Sequence, residues 1–324
     1  MITDEQRAAR TARAVAAAVA AGRDLGLAVI EPEVLYDVFS VIVKLAPSPV
    51  VVRVPTVLPR TTTPDTQLAD QRRELAVAAW LGEKGLPVVK PSPLVPAEPV
   101  RRDGFSMTFW ELIEFVEDAD LRAEYSAGLV AKLHAALREY PGELAFLTGL
   151  DPFIPDALTQ LEHRPDLLDP ADLDRARREW EHFRPLLESE EAFARAFPGS
   201  TVQPIHGDSP GYNLIVTTEG ELYSDFELVN RGPIERDLAF NGPEAIEAYN
   251  AAAAELGLRE VDETVLRTME AVGLLQVIAC LAMAPDLPML VDGLKPMIDQ
   301  WRETPFAGGL AQPSIDVQAS ANPG

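Results

Sequence analysis

Three side chains between residues 204 and 240 have the types and the spacing that phosphoryl transfer needs. Asp208 comes five residues before Asn213, and Asp225 follows after a short apolar run and a turn. A positioned carboxylate can accept the proton of a hydroxyl group, while an amide oxygen and a second carboxylate can hold Mg²⁺. The pattern therefore predicts Asp208 as a catalytic base, and Asn213 and Asp225 as magnesium ligands.

Each of these residues also has an ordinary structural explanation when it is taken alone. Asp208 could be a turn residue, Asn213 a cap and Asp225 an exposed acid in a turn. Their order is more informative, because the residues that follow Asn213 predict a strand and Gly220 marks a hairpin turn. Such a hairpin would bring Asn213 and Asp225 to the same end, next to the loop that carries Asp208.

The elements that must position this site differ between the two parts of the chain. The first 117 residues alternate helical patterns with β-branched runs, and the remainder is mainly helical. The expected elements are an Ala-rich helix over residues 4–21 closed by Gly22, a hairpin from 38–44 and 50–54, a helix over 66–84, a strand pair within 88–115, and helical segments over 119–140, 155–197 and 243–301. A β-rich front and a helical back predict two lobes with a cleft between them.

The segment 204–240 resembles the catalytic and metal-binding motif of the aminoglycoside phosphotransferase family, a branch of the protein-kinase-like fold. The matching residues are His206-Gly207-Asp208, Asn213, Asp225-Phe226-Glu227, Gly232-Pro233 and Asp237-Leu238-Ala239. The resemblance implies the same roles for Asp208, Asn213 and Asp225. It also implies that His206 and Asp237 support the loop, and that Glu227 assists the metal or orients the loop.

The resemblance extends over residues 28–300. In VVVRV, Arg53 would be the phosphate-binding cation and Glu74 on the following helix its partner. The segment MTFWELIE resembles the inter-lobe hinge, and His134 would be structural. The backbone that is expected to meet the adenine belongs to Trp110, Glu111, Leu112 and Ile113.

Two segments depart from the family pattern. The nucleotide-covering loop, expected near residues 36–40, contains no glycine, so its backbone amides would approach phosphate less closely. The usual His-Pro-Gly before the asparagine is replaced by Ser209-Pro210-Gly211-Tyr212. The acidic and amide positions are intact.

The resemblance implies an α+β, protein-kinase-like fold with a small β-rich N-lobe and a larger, mainly helical C-lobe. The expected division is an N-terminal helix (1–27), a nucleotide-binding N-lobe (28–112), a C-lobe with the catalytic loop and the acceptor site (113–311) and a mobile tail (312–324). The implied activity is transfer of the γ-phosphoryl group of ATP or GTP, with Mg²⁺, to a hydroxyl group of a small acceptor.

The charge of the chain bears on its partners. The 324 residues carry a formal net charge of −23, which disfavours nucleic acid and anionic membranes. Residues 214–270 contain 13 acidic and 4 basic residues. This excess fits an amine-bearing acceptor, such as an amino sugar or aminoglycoside, and it fits equally a surface that is merely acidic.

The cysteine content, the N-terminus and the apolar segments bear on the cellular location of the protein. Cys280 is the single cysteine, so an intrachain disulfide is excluded. The N-terminus lacks the pattern of a signal peptide, and the apolar run 271–284 is shorter than a membrane span. We therefore expect a cytoplasmic protein without membrane contact, as a monomer or a homodimer.

Two alternatives stay open at this point. A non-catalytic nucleotide-binding pseudokinase is favoured by Arg53 and by the glycine-free loop, and is opposed by the intact Asp208, Asn213 and Asp225. A metallophosphatase would need several His and Asp ligands. The chain has 4 histidines, and three of them lie in helical patterns without metal-ligand spacing.

Overall fold

The computed structural model describes residues 1–117 and 119–310, so the expected mobile tail at 312–324 lies outside the described residues. The strands are β1 (Val29–Asp37), β2 (Ser40–Pro47), β3 (Val50–Pro55), β4 (Val100–Arg102), β5 (Phe105–Glu111), β6 (Gln203–Ile205), β7 (Leu214–Thr217), β8 (Gly220–Tyr223) and β9 (Asn230–Gly232). The α-helices are α1 (Asp4–Asp24), α2 (Pro64–Glu83), α3 (Ala123–Leu137), α4 (Phe153–Leu161), α5 (Pro170–Leu187), α6 (Glu190–Ala196), α7 (Glu235–Leu238), α8 (Pro243–Glu255), α9 (Glu263–Cys280) and α10 (Leu290–Glu303).

The N-lobe is built on an antiparallel sheet in the order β1-β2-β3-β5-β4. The expected hairpin of β-branched runs is present as β2 and β3, with Ile42 opposite Arg53. Side chains alternate across the sheet, so Val43 and Val52 are fully buried on one face, and Arg53 lies on the other. The alternation therefore directs Arg53 away from the apolar core of the N-lobe.

Helix α1 covers the buried face of this sheet. Its Ala14, Ala17, Ala18 and Ala21 share one apolar cluster with the valines of β2 and β3. The helix runs to Asp24, so the expectation that Gly22 ends it was wrong. A Cβ at Gly22 would lie 2.6 Å from Leu45 Cδ1, which shows that the glycine permits close packing of the helix on the sheet.

The C-lobe is organised around α9. Most of its side chains are buried against α4, α5, α7 and α10, among them Met269, Val272 and Leu275. With the turn that follows it, α9 forms a 21-residue stretch, Glu263–Met283, that is long and apolar enough to cross a membrane. The sequence pattern had instead predicted an apolar run that is too short for a membrane span. However, 61% of the tested window is buried inside the fold, which is typical of the core helix of a globular domain.

The two lobes are joined at more than one place. The chain passes between them after β5, and Val116 N donates to Val216 O at 2.8 Å. At a second place the start of α1 contacts the turn before α10, where Ile2 N donates to Pro285 O at 2.6 Å and Arg10 Nη1 donates to Asp286 O at 3.3 Å. The N-terminal helix therefore belongs to the packing of both lobes.

Candidate active site

The loop that carries Asp208 starts directly after β6. Gly207 has φ +88°, and a Cβ there would collide with the backbone oxygen of Leu228, so a side chain would displace the loop. Asp208 itself is exposed, and its side chain accepts no hydrogen bond from the described residues. Ser209 follows in the left-handed region at φ +40°. The backbone thus presents the Asp208 carboxylate to the cleft.

Asp237 on α7 holds this loop in place. Its carboxylate accepts hydrogen bonds at 2.7 Å from the backbone N–H groups of His206 and Gly207. His134 Nε2 lies 2.9 Å from Asp237 Oδ2, and the other ring nitrogen lies 2.8 Å from the hydroxyl of Tyr249. Burial alone would raise the pKa of Asp237, but these hydrogen bonds and the neighbouring histidines lower it below its ordinary value.

We expect Asp237→Asn to lower the free energy of unfolding by about 1–3 kcal/mol, because an amide cannot accept all of these bonds in a fully buried position. Since the native pKa of Asp237 is lowered, its contribution is complete above the unfolded pKa of about 4 and is lost as pH falls further. Urea unfolding should therefore show a constant deficit between about pH 5 and 8. Glu247→Gln, an exposed substitution on α8, should change stability little; an equal deficit in both variants would contradict the assignment.

Asn213 and Asp225 meet at one end of the β7–β8 hairpin, as the sequence predicts. Leu214 pairs with Tyr223, and Ser224 donates through its N–H and its Oγ to Asn213 O at 3.0 and 2.7 Å. Asn213 Nδ2 donates to Asp208 O at 2.7 Å. This bond fixes the amide group relative to the loop and uses its nitrogen, which leaves the amide oxygen as the group suited to a metal.

Arg53 lies at the centre of three carboxylates. Its Nη1 donates to Glu74 Oε1 at 2.7 Å, and its Nη2 donates to Glu227 Oε2 at 2.5 Å. Asp225 Oδ1 lies 3.0 Å from Nη1, within ion-pair distance. This oxygen atom is buried, and it accepts no well-aligned hydrogen bond from the described residues. The expected Arg53–Glu74 contact is therefore present, and α2, β3 and the turn after β8 meet at it.

The excess of carboxylates changes the protonation of this cluster. Burial would lower the pKa of the Arg53 guanidinium, but Glu227, Glu74 and Asp225 together raise it well above its ordinary value. Burial raises the pKa of Glu74 to about 8, against the effect of Arg53 and with the help of Asp225 and Glu227. With this pKa, Glu74 is mostly protonated at neutral pH, and burial raises the pKa of Glu227 as well, which reduces the negative charge around the guanidinium. Among the described residues no cluster of three or more His, Cys, Asp or Glu side chains is arranged to hold a metal by itself. The Asp225 carboxylate and the Asn213 amide oxygen are oxygen groups of the kind that Mg²⁺ takes together with phosphate oxygens and water.

We expect Arg53→Met to weaken nucleotide binding by about tenfold or more, because hydrogen bonds between a guanidinium and phosphate are among the strong ones. Glu74→Gln should weaken it less, since Asp225 and Glu227 still hold the guanidinium. The matched control is Lys44→Met on β2, where the lysine lies 3.3 Å from Glu33. Calorimetric titration with nucleotide and Mg²⁺ measures all three, and an equal loss in Lys44→Met would contradict the assignment.

Arg73 joins this cluster and was not anticipated from the sequence. Its Nη2 donates to Glu227 O at 2.7 Å, and its Nη1 donates to Asp70 Oδ1 at 2.8 Å. Arg73 therefore anchors the backbone that follows Asp225 to α2. Its place next to Glu74 in the RREL segment was the available signal, but a surface arginine on a helix looks the same in sequence.

The hinge offers fewer free backbone groups than the sequence suggested. Glu111 N donates to Lys90 O at 3.0 Å, and Leu112 N donates to Pro49 O at 3.2 Å. The Trp110 side chain is buried, and its Nε1 donates to Thr108 Oγ1 at 2.8 Å. Among the four residues expected to meet the adenine, the N–H of Ile113 is the donor without an acceptor in the described residues.

The glycine-free loop between β1 and β2 is pinned to the end of β3. The backbone N–H groups of Thr56 and Val57 both donate to Phe39 O, at 2.9 and 3.0 Å. Tyr36 and Phe39 leave large parts of their rings exposed. The loop is therefore held by hydrogen bonds and presents aromatic surface where a glycine-rich loop would present backbone amides.

A sequence model of the phosphotransferase enzyme family matches residues 40–254, which include β2 to β9, the Asp208 loop and most of α8. A search of the curated proteins gave no match. The match therefore covers the expected cation Arg53 as well as the expected metal ligands.

Solved structures show the same two-lobe fold at low sequence identity. A choline/ethanolamine kinase family protein from Mesorhizobium loti is 20% identical, with 91% of this chain and 96% of that chain covered and a TM-score of 0.56. Choline kinase LicA from Streptococcus pneumoniae is 14% identical, with coverage of 89% and 99% and a TM-score of 0.57. Amicoumacin kinase hAmiN, in complex with AMP-PNP, Ca²⁺ and Ami, is 13% identical, with coverage of 94% and 98% and a TM-score of 0.60. The expected protein-kinase-like fold is confirmed.

Proposed function

The chain belongs to the phosphotransferase enzyme family, as its resemblance to the aminoglycoside phosphotransferases indicated, and we propose that it transfers the γ-phosphoryl group of ATP or GTP to a hydroxyl group of a small molecule. One arrangement carries this proposal. An exposed Asp208 lies on a loop fixed by Asp237, and the hairpin end that bears Asn213 and Asp225 faces Arg53. These groups suit an acceptor, a metal and a phosphate chain in one cleft.

Each residue has a distinct task in this proposal. Asp208 accepts the proton of the acceptor hydroxyl or orients it. The amide oxygen of Asn213 and the carboxylate of Asp225 hold Mg²⁺, which when bound neutralises charge on the phosphates. Arg53, positioned by Glu74, binds phosphate oxygens. The N–H of Ile113 donates to the nucleotide base, and the backbone of Trp110, Glu111 and Leu112 forms the rest of the hinge beside it.

The proposed division of the chain follows the same tasks. Residues 28–112 form the nucleotide-binding lobe, residues 113–311 the catalytic and acceptor lobe, and residues 1–27 the helix that packs on the first. We propose a cytoplasmic location, in keeping with the burial of α9, and a monomer or a homodimer.

The acidic surface supports an acceptor that carries an amine, such as an amino sugar or aminoglycoside. Acidic walls raise the local concentration of cations. Part of the acidic excess counted in residues 214–270 is offset from outside the segment, because Arg53 pairs with Asp225 and Glu227. The acidic side chains of this segment that remain exposed favour an acceptor that carries an amine.

A non-catalytic nucleotide-binding protein is the second candidate. The engagement of Arg53 by Asp225 and Glu227, together with the pinned glycine-free loop, favours it. Family membership leaves a metallophosphatase without support. Acceptor-dependent turnover separates the enzyme from the pseudokinase.

The decisive experiment is a screen of hydroxyl-bearing small molecules with Mg²⁺ and ATP or GTP, coupled to release of the nucleoside diphosphate. We expect at least one acceptor to stimulate release of the nucleoside diphosphate by the wild type. Mass spectrometry should show that this acceptor has gained about 80 Da, the mass of HPO₃. Asp208→Asn should lose the stimulation. Nucleotide binding without stimulation by any acceptor would favour the pseudokinase.

A further inference from the structure

A cavity of about 490 Å³ lies in the C-lobe between α9 and α10. Helix α9 lines it with Arg267, Glu270, Ala271 and Leu274, whose spacing of three or four residues places them on one face of the helix. Side chains of α10 lie opposite, and Phe240, in the loop after α7, lines it as well. The volume is in the range of small-molecule binding sites.

The cavity has an apolar floor and a polar rim. Ala271 and Leu274 are buried, and Met297 and Phe240 are partly buried against the same apolar cluster. Arg267 is exposed, and its Nη2 donates to Gly308 O at 3.3 Å. Apolar walls of this kind favour a ligand with an apolar body, because its burial removes apolar surface from water.

Glu270 is the single acidic residue among the described residues that line this cavity. It is half-buried, and in the described part of the chain no cationic nitrogen lies within 4.0 Å of its carboxylate. Burial raises the pKa of Glu270, against the opposing effects of the backbone of Phe240 and the charge of Arg267. A cation that entered the cavity would therefore stabilise the charged carboxylate.

We propose that this cavity binds a small molecule that carries one amine on an apolar body, with Glu270 as the partner of the amine. One carboxylate suits one cationic group, and the apolar floor disfavours a molecule covered with hydroxyl groups, which would lose hydrogen bonds to water. None of the residues assigned to catalysis, metal or phosphate lines the cavity. The inference goes beyond the proposed function, because such binding requires neither nucleotide nor phosphoryl transfer.

Three probes that differ in one property each test this inference. They are 2-amino-1-phenylethanol, 1-phenyl-1-propanol, which has a methyl group in place of the amine, and glucosamine, which has a polar body. Calorimetry with the full chain at about pH 7.5 keeps the amines protonated. We expect the aromatic amine to bind about 10- to 100-fold more tightly than its methyl analogue, the range of a hydrogen bond to a charged group. Glucosamine should bind about tenfold more weakly or worse, because it buries less apolar surface.

Variants of Glu270 assign the preference for the amine to one side chain. Glu270→Gln keeps the shape but removes the charge, so the aromatic amine should bind no more tightly than its methyl analogue, whose affinity should not change. Glu270→Asp should keep part of the preference. The matched control is Glu303→Gln, since Glu303 is an exposed acid on α10 that does not line the cavity. It should bind all three probes as the wild type does, and thermal unfolding should be alike in all variants.

A ligand of this chemistry has two sources, an acceptor or a separate effector. Phosphorylation of 2-amino-1-phenylethanol in the presence of ATP and Mg²⁺ would show that the cavity receives the acceptor. Binding of the amine without its phosphorylation would show an effector site, and that site stands even if no acceptor is found and the proposed function fails.

Three results would overturn the inference. The first is equal binding of the aromatic amine and its methyl analogue to the wild type. The second is an equal loss of affinity for the amine in Glu270→Gln and Glu303→Gln, which would indicate the general charge of the surface. The third is binding of glucosamine as tightly as the aromatic amine, which would exclude a role for the apolar floor.

Discussion

Asp208→Asn should reduce the turnover of an accepted hydroxyl substrate by about a hundred- to ten-thousand-fold, the range for loss of a positioned general base. Asparagine has almost the same shape, and the Asp208 side chain accepts no hydrogen bond from the described residues, so the fold should be unaffected. The backbone oxygen that binds Asn213 is retained. The loss should therefore appear in kcat, with nucleotide affinity close to that of the wild type.

Initial rates of nucleoside diphosphate release at saturating acceptor measure this effect, and calorimetry measures the nucleotide affinity. The matched control is Glu219→Gln, an exposed acid in the turn between β7 and β8, which should keep normal turnover. Near-normal turnover of Asp208→Asn would remove Asp208 as the base. The metal and phosphate assignments would survive that result, because they depend on other residues.

Asp225→Ala should abolish the magnesium dependence of nucleotide binding and lower turnover by about 10²- to 10³-fold, as expected for loss of one electrostatic contact to the reacting phosphates. Mg²⁺ is held by few protein oxygens together with phosphate oxygens and water, so each protein ligand matters. The carboxylate lies 3.0 Å from Arg53 Nη1, and its removal also frees the guanidinium. Nucleotide binding without metal should therefore persist.

The backbone at residue 225 requires a second variant. Asp225 has φ +60°, a left-handed conformation that asparagine tolerates better than alanine. Asp225→Asn keeps this conformation and an oxygen atom but removes the charge, so its magnesium dependence should be intermediate. Calorimetry with and without Mg²⁺ compares both variants with the wild type. The same metal dependence in the wild type and in Asp225→Ala would show that Asp225 is not a ligand.

The sequence could predict that the Asp208 loop and the end of the β7–β8 hairpin lie together because both elements are local. Asp208, Asn213 and Asp225 are brought together by a turn and a hairpin whose signals lie within a few residues. The Arg53–Glu74 contact joins a strand to the next helix, which an amphipathic pattern and the family resemblance together located. The fold class followed from the change from β-branched runs to helical periodicity near residue 117.

Other features depend on contacts that are distant in the chain and leave weak local signals. Strand β1 has a largely exposed, acidic sequence with Pro32, so its pattern did not indicate a strand, and pairing with β2 creates it. Gly22 looked like the end of a helix because its contact with Leu45 comes from tertiary packing. The hydrogen bonds that occupy Glu111 N and Leu112 N come from Lys90 and Pro49, which sequence spacing does not reveal.

The contacts of Ile2 and Arg10 with Pro285 and Asp286 constrain how the lobes can move. They act together with the hinge after β5 and with the contacts that Arg53 and Arg73 make to Asp225 and Glu227. A wide opening of the lobes would have to break the contacts of Ile2 and Arg10 as well as those at the candidate site. A fusion tag placed directly before Met1 adds bulk beside Pro285, so kinetic comparisons are best made on untagged protein.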